Sequence, residues 1–288
     1  MNLQRFLLSS LLCLLPLTFV KAGTADARDF SATTTSSEVK EDIGDIHPEN
    51  QGGFMSHFRS SASVQGQYTT NALMTGYHGS SDFVTNPMLE AGYNQPLGHG
   101  FALDVSGKFQ SVIYSRFGGH GIWGFDGAAN LDYRYRTTWP RVYVGVEPYY
   151  YAFFDSGNTA AEALALTTGV DQDWTVNKGR TILSMGYAYT HHFASPAIDD
   201  RSTNAVVFGV THQFKPALFG QVYYSYQFTD YLEASRNDSR NLVAFNLIYQ
   251  FSKGLFGTFN TTFVDNRSTV GAASYQMFNV GFGVTYQF

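Results

Sequence analysis

Charged residues that recur at alternate positions are the main candidates for chemistry in this sequence. Two carboxylates that share a proton can act as acid and base, and Asp132 and Glu147 are predicted to face each other on neighbouring strands. Arg134 and Lys108 are predicted to lie beside them, which favours an ion-pair network over a reactive pair. Both interpretations require strands that place these side chains on one face.

The same predicted face carries seven acidic and four basic residues, all from the first six predicted strands. These residues are Arg59, Glu90, Asp104, Lys108, Asp126, Asp132, Arg134, Arg136, Glu147, Asp171 and Asp173. The six later strands present Gln, Asn, Thr, Ser, Gly and Tyr on this face. The sequence therefore predicts one charged wall and one neutral wall.

The elements that position these residues are alternating segments punctuated by Gly, Pro, Asn and Asp. Twelve strands are predicted at 57–69, 86–94, 101–114, 124–136, 141–153, 162–174, 179–192, 203–214, 217–229, 239–251, 254–264 and 274–288. Five short connections alternate with six long ones. This order is typical of an up-and-down antiparallel sheet with both termini at the same end.

The second face of these strands is apolar. It carries Phe101, Leu103 and Val105 on the third strand, and Phe282 and Val284 on the last. No Asp, Glu, Lys or Arg falls on this face between the strand ends, where a charge in hydrocarbon costs about 2–4 kcal/mol. A soluble sandwich would give a similar alternation, but aromatic residues also cluster at the strand ends, as they do at a membrane interface. We therefore predict an all-β fold, a closed transmembrane β-barrel over residues 54–288.

The composition and the first residues agree with export to a membrane. Charged residues are only 14% and aromatic residues 16% of the chain, and no apolar run after the N-terminus has the roughly 18–20 residues of a spanning helix. Residues 1–22 are predicted to be a signal peptide, with Arg5 before an apolar stretch and Ala22 at the cleavage site. Residues 23–53 are polar and acidic and are predicted to be a flexible periplasmic leader.

The charge and the cysteine content exclude some partners. Removing Arg5 and Lys21 with the signal peptide leaves 16 basic and 23 acidic residues, a net charge near −7. This charge disfavours nucleic acid as a partner. The only cysteine is Cys13, so no thiol or disulfide is predicted in the mature chain. The scattered histidines predict no metal site, and no nucleotide-binding motif is present, so no cofactor is predicted.

The last residues carry a resemblance to a known class. Gly283, Tyr286 and the terminal Phe288 resemble the C-terminal targeting signal of Gram-negative outer-membrane β-barrel proteins. The resemblance implies insertion by the barrel assembly machinery into outer-membrane lipid, with both termini in the periplasm. It covers residues 54–288 and indicates no subfamily.

Enzymes of the same class are a weaker match. Outer-membrane phospholipases carry a histidine, a serine two residues later and an asparagine about twelve residues after the histidine. His192 and Asn204 have that separation, but Ala194 occupies the position of the serine and Ser195 is offset. Acyl transfer requires an activated hydroxyl, so the chain is predicted not to be an enzyme, with no catalytic residue.

Two functions remain after these comparisons. The polar inward face favours a channel for passive passage of small hydrophilic solutes, and the alternative is a non-conducting structural or surface-interaction barrel. Hairpin geometry predicts that Asp104 meets Arg134 and that Lys108 lies diagonal to Asp132. Four carboxylates then have no obvious cationic neighbour, which predicts mild cation preference in a channel: Glu90, Asp126, Asp171 and Asp173.

Overall fold

A computed structural model describes residues 57–72, 80–136, 138–195 and 197–288. The predicted signal peptide (1–22), the predicted leader (23–53) and the first three residues of the predicted barrel (54–56) lie outside these ranges. None of the helices within the described ranges is long and apolar enough to cross a membrane.

The described residues form twelve antiparallel strands that close into one barrel. The strands are β1 (Phe58–Thr69), β2 (Asp82–Gly98), β3 (Phe101–Tyr114), β4 (Ile122–Tyr133), β5 (Arg141–Phe153), β6 (Thr159–Val176), β7 (Thr181–Ser195), β8 (Arg201–Lys215), β9 (Leu218–Tyr231), β10 (Arg236–Ser252), β11 (Leu255–Ser268) and β12 (Tyr275–Gln287). Each strand pairs with the next along the chain. The predicted twelve-stranded up-and-down barrel is confirmed.

Pairing between the first and last strands closes the barrel. Ala62 lies opposite Tyr286, and Tyr68 lies opposite Val280. Closure leaves no sheet edge, and lipid tolerates a strand only when its backbone groups are paired. The terminal Phe288 continues the ladder, since its backbone N–H donates to the Ser60 carbonyl at 3.1 Å.

Side chains alternate between an apolar outer face and a polar inner face. Outward residues such as Val64, Phe208 and Phe282 are exposed, as lipid-facing residues are. Charged outward residues lie close to one end of the barrel, and they include Glu162, Asp230 and Arg267. The middle of the outer face is therefore free of charge among the described residues.

The two ends of the barrel differ in their connections. At the turn end, where β1 begins and β12 ends, the connections are short. Asn177 and Lys178 adopt positive φ angles of 57° and 55°, which matches the twist that a tight hairpin requires. At the loop end the six connections have four to twelve residues, whereas four of the five at the turn end have two to four. The loop-end connections include the three-residue helices Gly118–His120, Ala197–Asp199 and Gly271–Ala273. We call the half of the lumen next to the turn end the turn half, and the half next to the loop end the loop half.

Several strands extend further toward the loop end than the sequence predicts. β2 begins at Asp82, β6 at Thr159, β8 at Arg201 and β10 at Arg236, instead of 86, 162, 203 and 239. The residues added to β8 and β10 are polar or charged and resemble loop residues in composition, whereas those added to β2 and β6 include the apolar Phe83, Val84, Ala160 and Ala161. They continue the ladder because their neighbours supply partners beyond the apolar band, as Asp230 does for Asn237.

Candidate functional site in the lumen

The lumen is the only place where polar side chains from all parts of the barrel converge within the described residues. In the turn half, many inward polar side chains are partly exposed, although Asp104, Tyr143 and Asp171 are buried. Its lining includes Gln65, Asn130, Glu147, Asp173, Thr211, Asn246, Asn260 and Thr285. Carboxylates, amides and hydroxyls can replace part of the hydration shell of a small solute or ion.

The loop half is filled by side chains. A cluster of buried residues joins β2–β6 to β10–β12, and Ala72 of the first long connection belongs to it. Its members include Val84, Val112, Tyr114, Ile122, Tyr151, Ala161, Leu242, Ala244, Val264, Tyr275 and Met277, with Tyr149 and Tyr223 packed against them. We call this set the loop-half cluster. Its packing restricts the lumen at this level.

Inward glycines make room for the tyrosines on β5. A Cβ on Gly124 would overlap the ring of Tyr151 and the backbone carbonyl of Tyr150, and a Cβ on Gly169 would overlap the Tyr143 hydroxyl. Large rings on β5 therefore lie against glycine on both neighbouring strands. This complementarity explains how bulky side chains fit inside the barrel without widening it.

A buried ion pair lies near the middle of the lumen. Lys108 Nζ lies 2.8 Å from Asp126 Oδ2, and both side chains are almost fully buried. The amide of Gln110 donates to Asp126 Oδ2 at 3.1 Å, and the hydroxyl of Tyr151 donates to Oδ1. Glu90 lies directly opposite Lys108 on the other side of β3. Lys108 thus lies between two acidic neighbours.

A second network of charges lies near the turn end. Arg59 pairs with Asp104 at 3.0 Å. Arg141 binds Asp171 at 2.6 Å and approaches Asp132 to 3.8 Å. Arg134, just beyond β4, lies 3.6 Å from Asp171. These pairs tie β1 to β3 and β4 to β6, so they brace one wall of the barrel.

The predicted pairings of these charges were wrong. Asp104 meets Arg59 instead of Arg134, and Lys108 lies directly opposite Asp126. The cross-strand partner of Asp132 is Tyr143, not Glu147, so the predicted carboxylate pair does not form. Both hairpins differ from the predicted register by four residues. Because four is even, the side chains within these strands keep their predicted faces.

The expectation of carboxylates without cationic neighbours was also wrong for three of the four. Asp126 is paired with Lys108, Asp171 with Arg141, and Glu90 lies opposite Lys108. Asp173 lies opposite Ser184 on β7. Arg136 lies in the exposed turn after β4, where its guanidinium carbon is 5.2 Å from the centre of the Tyr135 ring.

The predicted neutral wall carries charges that the sequence prediction missed. Arg201 on β8 and Arg236, Asp238 and Arg240 on β10 are buried and share the inward alternation of their strands. Arg236 and Asp238 are ion-paired, and Arg240 donates to the side-chain oxygen of Gln227. The sequence did carry a signal for these charges. Residues 236, 238, 240, 242 and 244 occupy alternate positions that lead into the apolar part of the strand, so they share one face. Arg236 and Asp238 were assigned instead to the end of a loop, and Arg240 was missed although it lies inside the strand predicted at 239–251.

The adjacent histidines face opposite sides of β7. The His192 ring lies 6.3 Å from the Tyr149 ring in the lumen. His191 faces outward, with Nδ1 3.0 Å from the Ser202 hydroxyl. Asn204 lies opposite Tyr189 and accepts from the hydroxyl of Tyr187 at 2.7 Å. His192 and Asn204, which have the phospholipase spacing in the sequence, therefore face opposite sides of the sheet.

Closure of twelve alternating strands around a polar lumen, with an apolar exterior, defines the class of fold. The chain has the fold of an outer-membrane β-barrel protein. Residues 161–288 match the family described as Putative beta-barrel porin 2, which corresponds to β6–β12. No protein of curated function matches the sequence.

Solved outer-membrane barrels share this architecture. An outer membrane channel from Pseudomonas putida F1 superposes with a TM-score of 0.53 at 10% identity, over 84% of this chain and 99% of that one. The NanC porin gives a TM-score of 0.47 at 13% identity, over 78% and 98%. The KdgM porin gives 0.45 at 13% identity, over 78% and 99%. At these identities the similarity concerns the fold.

Proposed function

We propose that this protein is an outer-membrane channel for small hydrophilic solutes, with a mild preference for cations. The observation that carries the proposal is the solvent-accessible, polar lining of the turn half. The match of β6–β12 to a porin family supports it. In the proposed orientation the turn end faces the periplasm, and the barrel assembly machinery inserts the chain through the signal formed by Gly283, Tyr286 and Phe288.

The proposed preference for cations rests on the charges near the turn end. Inward carboxylates there include Asp104, Asp132, Asp171 and Asp173, whereas the inward cations are Arg59, Arg134 and Arg141. Glu90 and Glu147 add negative charge towards the middle of the lumen. A narrow passage with low-dielectric walls focuses the field of such an excess. Loop-half arginines and the exposed basic residues of the turn-end connections, such as Arg136 and Lys178, oppose it, so the preference is mild.

The test is the reversal potential across a salt gradient in planar bilayers. The wild type is expected to show a cation-selective reversal potential that shrinks as salt rises, because screening shortens to about 3 Å at 1 M. The variant Glu90→Gln/Asp173→Asn is expected to shift toward anions. Asp171 is left intact because its loss would leave Arg141 without its carboxylate.

A matched control comes from the outer surface. Asp265 is paired with Arg267 and faces outward near the loop end, so Asp265→Asn is expected to leave the reversal potential unchanged. Anion preference in the wild type, or equal shifts in both variants, would contradict the proposed selectivity. Absence of stepwise conductance at protein levels where a known porin opens would contradict the channel itself.

The second candidate is a non-conducting barrel, which the loop-half cluster favours. Leu242 and Met277 are almost fully buried within it. If the cluster closes the lumen, the variant Leu242→Ala/Met277→Ala conducts and the wild type does not. Val243→Ala, adjacent but lipid-facing, provides the control. Conductance in the wild type that the double variant does not raise would exclude this candidate.

A further inference from the structure

One arginine in the loop half is buried beside a neutral partner. Arg240 lies on the inner face of β10 with its side chain buried, and its guanidinium donates to the side-chain oxygen of Gln227, directly opposite on β9. Among the residues that the structure describes, no carboxylate lies within ion-pair distance of Arg240. A neutral amide therefore takes the place that a counterion normally holds beside a buried charge.

The nearest carboxylate along the same face of β10 is already engaged. Asp238 Oδ1 accepts from Arg236 Nε at 2.9 Å, and Asp238 Oδ2 accepts from the other end of the same guanidinium. The internal gaps in the described ranges, residues 73–79, 137 and 196, include no Asp or Glu. These gaps therefore supply no carboxylate to Arg240.

The hydrogen-bond donors around Arg240 exceed the acceptors. A guanidinium presents several N–H donors in a fork, and within the described residues those of Arg240 have one acceptor, the oxygen of Gln227. Ser225 lies on the inner face of β9, opposite Leu242, so its β-carbon is about 7 Å from that of Arg240 along a diagonal. The Ser225 hydroxyl is fully buried and has no hydrogen-bond partner among the described residues. Arg240 and Ser225 therefore carry donors without an acceptor on the same face of adjacent strands.

The next row of inward side chains is apolar. Leu242 follows Arg240 on the inner face of β10 and lies opposite Val264, which lies opposite Met277. All three belong to the loop-half cluster and are at most 2% exposed. A ligand that contacts both Arg240 and this row would combine an anionic group with an apolar body.

The charge of the site favours a monocarboxylate over other anions. The guanidinium fork matches the two oxygens of a carboxylate, and the single charge of Arg240 balances one negative charge. A phosphate or a dicarboxylate would bring a second charge onto the apolar row, where a buried charge without a partner is costly. A monocarboxylate instead accepts from Arg240 and Ser225 and buries its apolar atoms against Leu242.

We propose that Arg240, Gln227 and Ser225 form a binding site for the carboxylate of a small monocarboxylic acid, whose apolar body packs against Leu242 and Val264. Arg240 donates to both oxygens, Ser225 donates to one of them, and Gln227 orients the guanidinium. The site lies in the loop half, whereas the carboxylates that carry the proposed cation preference lie near the turn end and the middle of the lumen. It goes beyond the proposed channel function, because a non-conducting barrel would bind the same acid.

The experiment measures the binding of benzoate to the full mature chain folded in vesicles of phosphatidylcholine. Isothermal titration calorimetry at neutral pH, with protein-free vesicles as the background, gives the dissociation constant. We expect Arg240→Gln to weaken binding at least about tenfold, because it replaces charge-assisted hydrogen bonds with neutral ones. Arg240→Lys keeps the charge but loses the fork, so we expect an intermediate loss. Unchanged affinity in Arg240→Gln would overturn the proposal.

A second variant tests the site without removing any contact of the barrel. The Ser225 hydroxyl has no partner among the described residues, so Ser225→Ala should leave the unfolding midpoint unchanged. We expect it to weaken benzoate binding about fivefold, which is the contribution of a typical hydrogen bond. The matched controls, Ser239→Ala and Arg267→Gln, alter outward side chains on β10 and β11 and should bind benzoate as the wild type does. Equal losses in the controls, or no loss in Ser225→Ala, would overturn the site.

Three further compounds test the class of ligand. Benzyl alcohol keeps the ring of benzoate without the carboxylate, and acetate keeps the carboxylate without the ring. We expect each to bind at least about tenfold more weakly than benzoate, because one loses the charge-assisted hydrogen bonds and the other loses the apolar contact. Inorganic phosphate should also bind more weakly than benzoate. Equal affinity for benzyl alcohol would identify an apolar cavity without an anion site, and equal affinity for acetate or phosphate would identify a site for small anions in general. Either result would overturn the proposal.

Discussion

Lys108 and Asp126 form an ion pair inside the barrel, and both side chains are almost fully buried. Removing one partner of a buried pair leaves a charge without compensation, which costs about 3–5 kcal/mol. We predict that Lys108→Met lowers the free energy of unfolding by about this amount, because Asp126 would then face Gln110 and Tyr151 without a cation. Guanidinium unfolding of the protein folded in vesicles measures the change.

Two controls define the origin of this effect. Arg267 pairs with Asp265 at 3.1 Å but is 78% exposed, so Arg267→Gln is expected to cost less than about 1 kcal/mol. The double variant Lys108→Met/Asp126→Leu should recover much of the stability, since two apolar groups need no partner. A cost for Lys108→Met as small as that for Arg267→Gln would contradict this prediction.

The β4–β5 hairpin depends on a glycine inside the barrel. A Cβ on Gly124 would overlap the Tyr150 carbonyl, so the ladder itself must shift as well as the Tyr151 ring. Inserting a methyl group into such a site costs about 1–3 kcal/mol, and we predict this loss for Gly124→Ala. In the matched control, Gly209→Ala, the nearest atom to the new Cβ is Ser184 Cβ at 3.5 Å, an ordinary contact. Equal unfolding midpoints for the two variants would contradict the prediction.

At the level of elements, alternation of residue types predicts well which face of a strand a side chain lies on, but it predicts poorly where the strand begins and ends. Lys108 and Asp126 were placed on the inner face correctly, because a strand has a period of two whatever its partner. Their cross-strand pairing depends on the number of residues in the loop of each hairpin, and composition does not reveal that number. Arg236 and Asp238 show the same limit: their residue types are common in loops, and only the ladder beyond the apolar band places them in a strand.

The complete barrel has an apolar belt that faces the hydrocarbon of the membrane, and the energetic cost of a charge on this belt depends on its depth in the bilayer. Phe208 lies at the middle of β8 and Phe214 near its turn end, and both face outward and are exposed. We predict that Phe208→Arg lowers the free energy of unfolding in vesicles by about 2–4 kcal/mol, and that Phe214→Arg lowers it by about 0–1 kcal/mol. Equal costs at the two depths would contradict the placement of the membrane on this barrel.

Because the two halves of the lumen are filled unequally, cysteines introduced at different depths of the lumen should differ in reactivity. Cys13 is the only cysteine and lies in the predicted signal peptide, so an introduced cysteine would be the sole reactive thiol of the mature chain. Asn260 and Val264 both face inward on β11, but Asn260 is partly exposed and Val264 is fully buried. We predict that Asn260→Cys reacts with a small hydrophilic thiol reagent at least about tenfold faster than Val264→Cys, because thiol reactivity follows exposure.

The direction of approach would differ as well. When the reagent is present on one side of the vesicle membrane only, a lumen closed by the loop-half cluster should leave Asn260→Cys open to the turn end and protected from the loop end, whereas the proposed channel should admit the reagent from both ends. Modification at equal rates from both sides would show that the loop-half cluster admits the reagent. Faster modification from the turn end would show that the lumen exchanges its contents mainly with the compartment on that side.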